Sequence, residues 1–419
     1  MTETEKRVPD LRFKGFIEDW EQRKLGDIAE IKTGPFGSTL HAEDYVQSGI
    51  PIITTEHFKS GHLPESKDGT PQVSDEDYSR LKSYILKKGD IVFSRVGSVD
   101  INALVTTLQD GWLFSGRVLR VRSQNQIDSD YLHYLLDTLP VKNDIVSRAV
   151  GQTMPSINTE ILKSTKLVLS KNIEEQELIA GTLRKLDDTL ALHQRKLTLL
   201  EQLKQSYLQL MCPQNKGNIP ALRFAGFSEP WEQRKLNDLY EKGGSGGTPQ
   251  STNKSYYMGD IPFLGISDIS ASNGYIYDTE KHISEKGLNN SSAWIVPKEA
   301  ISLAMYASVG KVAILKTEAA TSQAFYNMVF KKISTRNFIF QYLLKIESTN
   351  GWNRLISTGT QANLNAQKVR DLEIMIPSLE EQDKIGTFFN RIDHTIDLHQ
   401  KKISHIQDLK KALLQKMFI

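Results

Sequence analysis

The sequence predicts an α/β protein: two similar α/β units separated by two long antiparallel coiled-coil helices, with pseudo-twofold symmetry. Three observations carry this. The opening of the chain occurs twice, as PDLRFKGFIEDWEQRKLGDI at residues 9–28 and PALRFAGFSEPWEQRKLNDL at residues 220–239, a shift of 211 positions. A second echo closes each half, residues 174–211 against 380–417, at a shift of 206. Between the echoes, short β-rich runs alternate with helix-like stretches. The unequal shifts mean that a common frame encloses contents of different length.

Residues 1–170 form the first unit. The runs 49–55 (GIPIITT), 90–94 (DIVFS) and 117–122 (RVLRVR) read as strands and 131–139 as a helix. In the second unit, residues 220–376, the matching strand-like runs are 261–266, 300–304 and 326–330, with a helix-like stretch at 338–346. Residues 33–39 and 243–255, rich in Gly, Pro, Ser and Asn, read as loops, and 212–219 as a linker. Residues 20–31 and 231–240 fit helix or strand equally. Trp20 and Trp231 recur at the same place in both frames, so they read as packing anchors.

Residues 171–211 and 377–419 are the helices. In the first, Ile179, Leu183, Leu186, Leu190, His193, Leu197, Leu200 and Tyr207 follow alternating steps of four and three, with one missed step near Lys204. In the second, Ile385, Phe389, Ile392, Ile396, His399, Ile403, Ile406 and Leu413 take the equivalent places. A 3.5-residue apolar period held over several heptads is a coiled-coil seam. Glu174, Glu175, Glu380 and Glu381 suit the positive start of a helix dipole. The simplest cover for each seam is the other copy, and the order unit–helix–unit–helix requires antiparallel pairing. End-to-end alignment then brings His193 to His399. Two imidazoles alone make a poor metal site, since zinc recruits about four ligands; a polar seam position that fixes register is the better reading.

The chain has 419 residues, enough for two to three domains, with 39% hydrophobic and 24% charged residues. Its first residues are charged and lack the apolar region of a signal peptide, and no apolar stretch approaches the ~20 residues of a membrane span. The one cysteine, Cys212, excludes an internal disulfide and a thiolate zinc site, which fits a reducing cytoplasm. Net charge is only +2, and residues 1–170 sum to −3, so bulk electrostatics do not announce nucleic acid. The helical segments, net 0 and +1, make poor phosphate tracks and suit protein docking better.

The paired W-E-Q-R-K-L-x-D openings resemble the start of target-recognition domains in type I restriction–modification specificity subunits, the HsdS family. So do residues 34–38 (GPFGS), Asp44-Tyr45 and 49–51 (GIP), echoed by 246–249 (GGTP), Tyr257 and 259–262 (GDIP). Val96-Gly97-Ser98 matches Val309-Gly310-Lys311, and 151–158 (GQTMPSIN) matches 359–365 (GTQANLN), one residue shorter. The resemblance covers nearly the whole chain. It implies a non-catalytic subunit whose two domains each bind half of an asymmetric, gapped double-stranded DNA target, the helices setting the gap. It implies two modification subunits that bring S-adenosylmethionine and methylate adenine, and two restriction subunits that use ATP and magnesium. No cofactor is expected in this chain itself, which would work in bacterial or archaeal cytoplasm.

The chemistry absent from the sequence agrees. There is no dinucleotide fingerprint, no phosphate-binding G-x-x-x-x-G-K-[ST] loop and no H-E-x-x-H. The N/D-P-P-Y/F motif of adenine methyltransferases is missing, and Pro9-Asp10 lacks the downstream acid–lysine pair of a nuclease. No catalytic residue and no metal ligand is therefore assigned.

For base reading the candidates in the first unit are Arg95, Arg117, Arg120 and Arg122, because a guanidinium pairs bidentately with guanine O6/N7. On a strand Arg120 and Arg122 share a face, either presented to DNA or solvated and paired with nearby aspartates. Loop candidates are Ser38, Thr39, His41, Lys59, Gln152 and Thr153. In the second unit they are Lys254, Tyr256, Lys281, Lys311, Gln323, Gln361 and Asn363: amides suit adenine, lysines phosphate. Two other readings stay open. S-adenosylmethionine binding or metal-dependent cleavage by the chain alone would mark an enzyme with unrecognised motifs. A sequence-blind or salt-insensitive DNA interaction would mark a scaffold.

Overall fold

The computed structural model describes residues 8–35, 39–214, 217–356 and 364–419. The chain divides into two compact units, Met1–Leu192 with Ile403–Ile419, and His193–Lys402. The long helices run Ile173–Leu210 and Leu379–Met417, so each unit takes one part of both.

In the first unit a four-stranded antiparallel sheet runs in the order Ala29–Thr33, Val118–Ser123, Ile91–Ser94, Asn102–Leu104. One face carries Ile91, Phe93, Leu119 and Val121 against the helix Ser129–Leu136 and the long-helix residues Ile179 and Leu183. The other face carries Val92, Ala103 and Val118 against Ile53, Phe58 and Phe114, contributed by a second sheet and its flanking turn. Both faces are therefore buried, which is why the inner strand carries the unbroken apolar run Ile91-Val92-Phe93.

The second unit repeats the plan. Its main sheet runs Lys242–Ser245, Phe325–Val329, Ile301–Ala304, Val312–Leu315, Tyr275–Ile276, backed by the helix Ile333–Ser348. Residues 243–245, expected in a loop, are thus strand: the glycines pair with Asn327 and Met328. The ambiguous openings resolve as a strand followed by a helical turn, Leu25–Ile28 in the first unit and Leu236–Asp238 in the second. Glu21–Lys24 pairs antiparallel with Lys166–Leu169, and Glu232–Lys235 with Glu373–Ile376.

In each unit the two echoes meet. Arg12 from the first echo forks onto Glu175 at the start of the long helix, Nε to Oε1 at 2.5 Å and Nη2 to Oε2 at 3.0 Å. Arg223 does the same to Glu381 at 2.7 and 2.8 Å. Both carboxylates are wholly buried. The next residue is equally committed: Gln176 donates to the Ser170 carbonyl, and Gln382 to that of Pro377, each at 2.8 Å. The sequence repeats because a closure repeats, the strand ribbon and the helix start being tied by one bidentate ion pair.

Within each unit the long-helix segments pair antiparallel. In the first, Lys410 bridges to Asp187 at 2.6 Å, and Leu413, Leu414 and Met417 join the cluster holding Ile179 and Leu183. In the second, Lys204 bridges to Asp393 at 2.6 Å, and Leu208 packs in the cluster of Ile385, Phe389 and Ile392. All the proposed seam residues are buried or half-buried. His193 and His399 meet Nδ1 to Nδ1 at 2.8 Å, so one ring donates and the other accepts.

Burial, then the neighbouring His399 and lysines 402 and 196, holds His193 below the usual histidine value. A lowered histidine contributes stability that is complete above its unfolded value and is lost as pH falls through the native one. Helix pairing in the second unit is therefore expected to loosen between pH 7 and pH 5, and a His399→Asn variant to lose less. Amide exchange of residues 190–200 measures it; equal protection at both pH values would remove the imidazole contact as a source of stability.

Candidate nucleic-acid interface

At one end of the first main sheet, three segments converge on the turn that enters its second strand, Val118–Ser123. Gly34, just past Ala29–Thr33, donates its N–H to the Val118 carbonyl at 3.1 Å. Arg95, just past Ile91–Ser94, donates its N–H to the Arg117 carbonyl at 3.0 Å and its Nη1 to that of Gly116 at 3.1 Å. The loop at 150–156 is closed by reciprocal Val150 and Ser156 backbone bonds of 2.9 and 2.8 Å. It is pinned to the same place, since Ile157 N donates to Arg95 O at 2.9 Å and Gly97 N to Pro155 O at 2.8 Å. Gly34 has no substitute here, because a Cβ would lie 2.1 Å from the Ser115 carbonyl oxygen.

The second unit rebuilds three of these backbone bonds. Gly246 N donates to Phe325 O at 3.4 Å, Met305 N to Ala324 O at 2.7 Å and Leu364 N to Met305 O at 2.9 Å. A Cβ on Gly246 would meet the Thr321 oxygen at 2.0 Å. The frame is common, and the side chains on it differ.

Strand register corrects one expected match. Phe93 pairs with Asn102 and Leu303 with Val312, a shift of 210, which sets Val96-Gly97-Ser98 against Tyr306-Ala307-Ser308, not against 309–311. Backbone angles are compatible with this, since Gly97 at φ +87° and Ala307 at φ +58° are both left-handed, but Gly310 at φ +90° is too, so the strand register decides. The repeated V-G dipeptide misled because alanine occupies the position that usually demands glycine.

Of the proposed base readers, Arg117, Gln152 and Thr153 are exposed at this end, with Arg95 half-buried among them. Arg120 and Arg122 are not available to DNA. Arg120 is 3% exposed and bonds Glu30 at 2.6 Å, burial pushing its pKa down. Arg122 forks onto the buried Asp90 at 2.6 and 2.7 Å. The face they share is covered by the second sheet, where the sequence reading left it open to solvent or DNA. Thr39 is half-buried and His41 exposed, while Lys59, exposed, pairs with Glu56.

In the second unit Gln323 is exposed at the sheet end, its Oε1 accepting from Thr248 Oγ1 at 2.5 Å, and Lys311 is half-buried near by. Lys254 and Tyr256, with Lys281 opposite Phe263, belong instead to the surroundings of the other sheet. Ser38, Gln361 and Asn363 lie outside the described residues. Sequence reading missed Thr248, Tyr306 and the exposed Val150 and Met154. Only Thr248 carried a signal, its place just after the paired glycines.

Among the described residues no cluster of His, Cys, Asp and Glu has the makings of a metal site. No described helix is long and apolar enough to cross a membrane.

A family model described as the type I restriction modification DNA specificity domain matches residues 17–202 and again 228–408. The MjaIX specificity subunit of Methanocaldococcus jannaschii is 33% identical over 192 residues, 45% of this chain and 44% of its own length. The MjaX specificity subunit of the same organism, described as a type I restriction enzyme component, is 28% identical over 95% of this chain and 92% of its own. The solved structure of the type I restriction–modification S subunit from M. genitalium superposes with a TM-score of 0.67 at 15% identity, covering 98% of this chain and 99% of that one.

Proposed function

The chain belongs to the type I restriction modification DNA specificity family, and from that premise we propose that it is the non-catalytic subunit that selects DNA sequence for a restriction–modification complex. Each unit reads one half of an asymmetric bipartite target, and partner subunits methylate adenine N6 or cleave there. What supports this reading most is the pair of sheet ends, held by three corresponding backbone bonds and different in side chains. A frame kept twice with its polar loops changed suits two readers of different half-sites. Two modification subunits carrying S-adenosylmethionine and two restriction subunits using ATP and magnesium complete the assembly, in the cytoplasm of a prokaryote. The long helices, with their balanced charge, set the unread gap and offer docking surface.

Mapping N6-methyladenine in DNA from cells that express this chain with its modification subunits tests the proposal. A single two-part motif is expected. Exchanging residues 220–376 for the second unit of another family member is expected to rewrite one half and leave the other intact. Methylation without a bipartite motif, or an exchange that altered both halves, would defeat it.

A further inference from the structure

We propose that the turn entering the strand next to the sheet edge, Val118–Ser123 or Phe325–Val329, is the same base-reading position in both units, filled by Arg117 in the first and Gln323 in the second, so that the half-sites differ there as G·C against A·T. The inference rests on the function proposed above and adds the base chemistry of each half.

The equivalence comes from backbone bonding. Val118 N donates to Ser115 O at 3.0 Å and Phe325 N to Ser322 O at 3.2 Å, which aligns Ser115-Gly116-Arg117-Val118 with Ser322-Gln323-Ala324-Phe325. Each turn leads into the strand beside the sheet's edge strand, flanked by the glycine loop on one side and by Arg95 or Met305 on the other. The long polar side chain is offset by one residue, yet each turn carries one and only one.

Both are placed to read. Arg117 is exposed, and its side chain has no partner among the described residues, whereas Arg120 and Arg122 of the same strand are spent on Glu30 and Asp90. Its main chain is nonetheless fixed, the carbonyl accepting from Arg95. A held backbone with a free guanidinium fork suits the O6/N7 edge of guanine. Gln323 is exposed too, and the Thr248 hydroxyl fixes its amide by bonding Oε1. That leaves Nε2 to donate to adenine N7, while the second lone pair of Oε1 accepts from N6.

The test uses the complex with its modification subunits, reading both the methylation motif and competition binding to duplexes altered at one base pair. Arg117→Ala is expected to relax one G·C position in one half-site, by about 5- to 150-fold in discrimination, and to leave the other half unchanged. Gln323→Ala is expected to relax one A·T position in the other half. Arg117→Lys, which keeps charge and loses the fork, is expected to behave like the alanine variant. Thermal melting checks that each variant is folded. If Arg117→Lys keeps full discrimination, or Arg117→Ala weakens all sequences alike with a shallower salt dependence, Arg117 holds phosphate and the proposal falls. A half-site without guanine also overturns it. A wild-type complex with no bipartite motif would instead bring down the function on which it rests.

Discussion

Replacing Arg12 with alanine is expected to destabilise the first unit by about 3–5 kcal/mol at neutral pH, because it strands a fully buried carboxylate. Glu175 is inaccessible to water, and besides the two bonds from Arg12 it accepts from Trp20 Nε1 at 3.1 Å and from Ser170 Oγ. Burial alone would raise its pKa, but the Arg12 fork, Ser170 and Trp20 together hold the carboxyl below the ordinary glutamate value. A depressed carboxyl contributes stability that is complete above its unfolded pKa and is lost as pH falls through the native one. The gap between wild type and Arg12→Ala should therefore be widest at neutral pH and narrow on acidification, since a protonated Glu175 no longer needs the guanidinium. Amide exchange in the ribbon Glu21–Lys24 with Lys166–Leu169 reports it locally. A gap independent of pH would mean that the two side chains contribute packing and not charge.

That ion pair shows where sequence reading stops. The echoes at 9–28 and 174–211 were visible as repeats, but nothing in them said that they touch, 163 residues apart from Arg12 to Glu175. Glu175 suggested a helix-dipole role, which its exposed neighbour Glu174 suits better. Short-range periodicity is local physics and was legible: the seam residues fall inward, and His193 faces His399. Long-range charge pairing is not, because any of 52 basic groups can meet any of 50 acidic ones until the fold chooses.

The candidate interface divides the same way. Arg117 was identifiable by residue type, although it read as part of the strand that it in fact precedes. Arg120 and Arg122 looked equally good, since alternation cannot tell a solvated face from one covered by a second sheet. The loop match at 96–98 failed by three residues because the register of a strand pair, not the resemblance of a dipeptide, decides equivalence.

The two tryptophans test how far the units share energetics as well as shape. Trp20 and Trp231 are each 3% exposed. Trp20 packs edge-on to Tyr131 at 6.2 Å and to Phe418 at 6.3 Å, and Trp231 edge-on to Phe338 at 5.5 Å. Truncation to alanine should cost either unit about 3–5 kcal/mol. Substitution by phenylalanine separates them. Trp20→Phe removes a donor from the Glu175 carboxylate, a bond to a charged group worth about 1.5–3 kcal/mol. The Trp231 indole N–H is buried with no acceptor among the described residues, so Trp231→Phe removes an unsatisfied donor and is expected to be close to neutral. Exchange protection of the ribbon Glu232–Lys235 with Glu373–Ile376, set against its counterpart in the first unit, gives the comparison. Equal losses in the two phenylalanine variants would show that ring volume alone anchors both echoes, and that the carboxylate bond in the first unit adds nothing to stability.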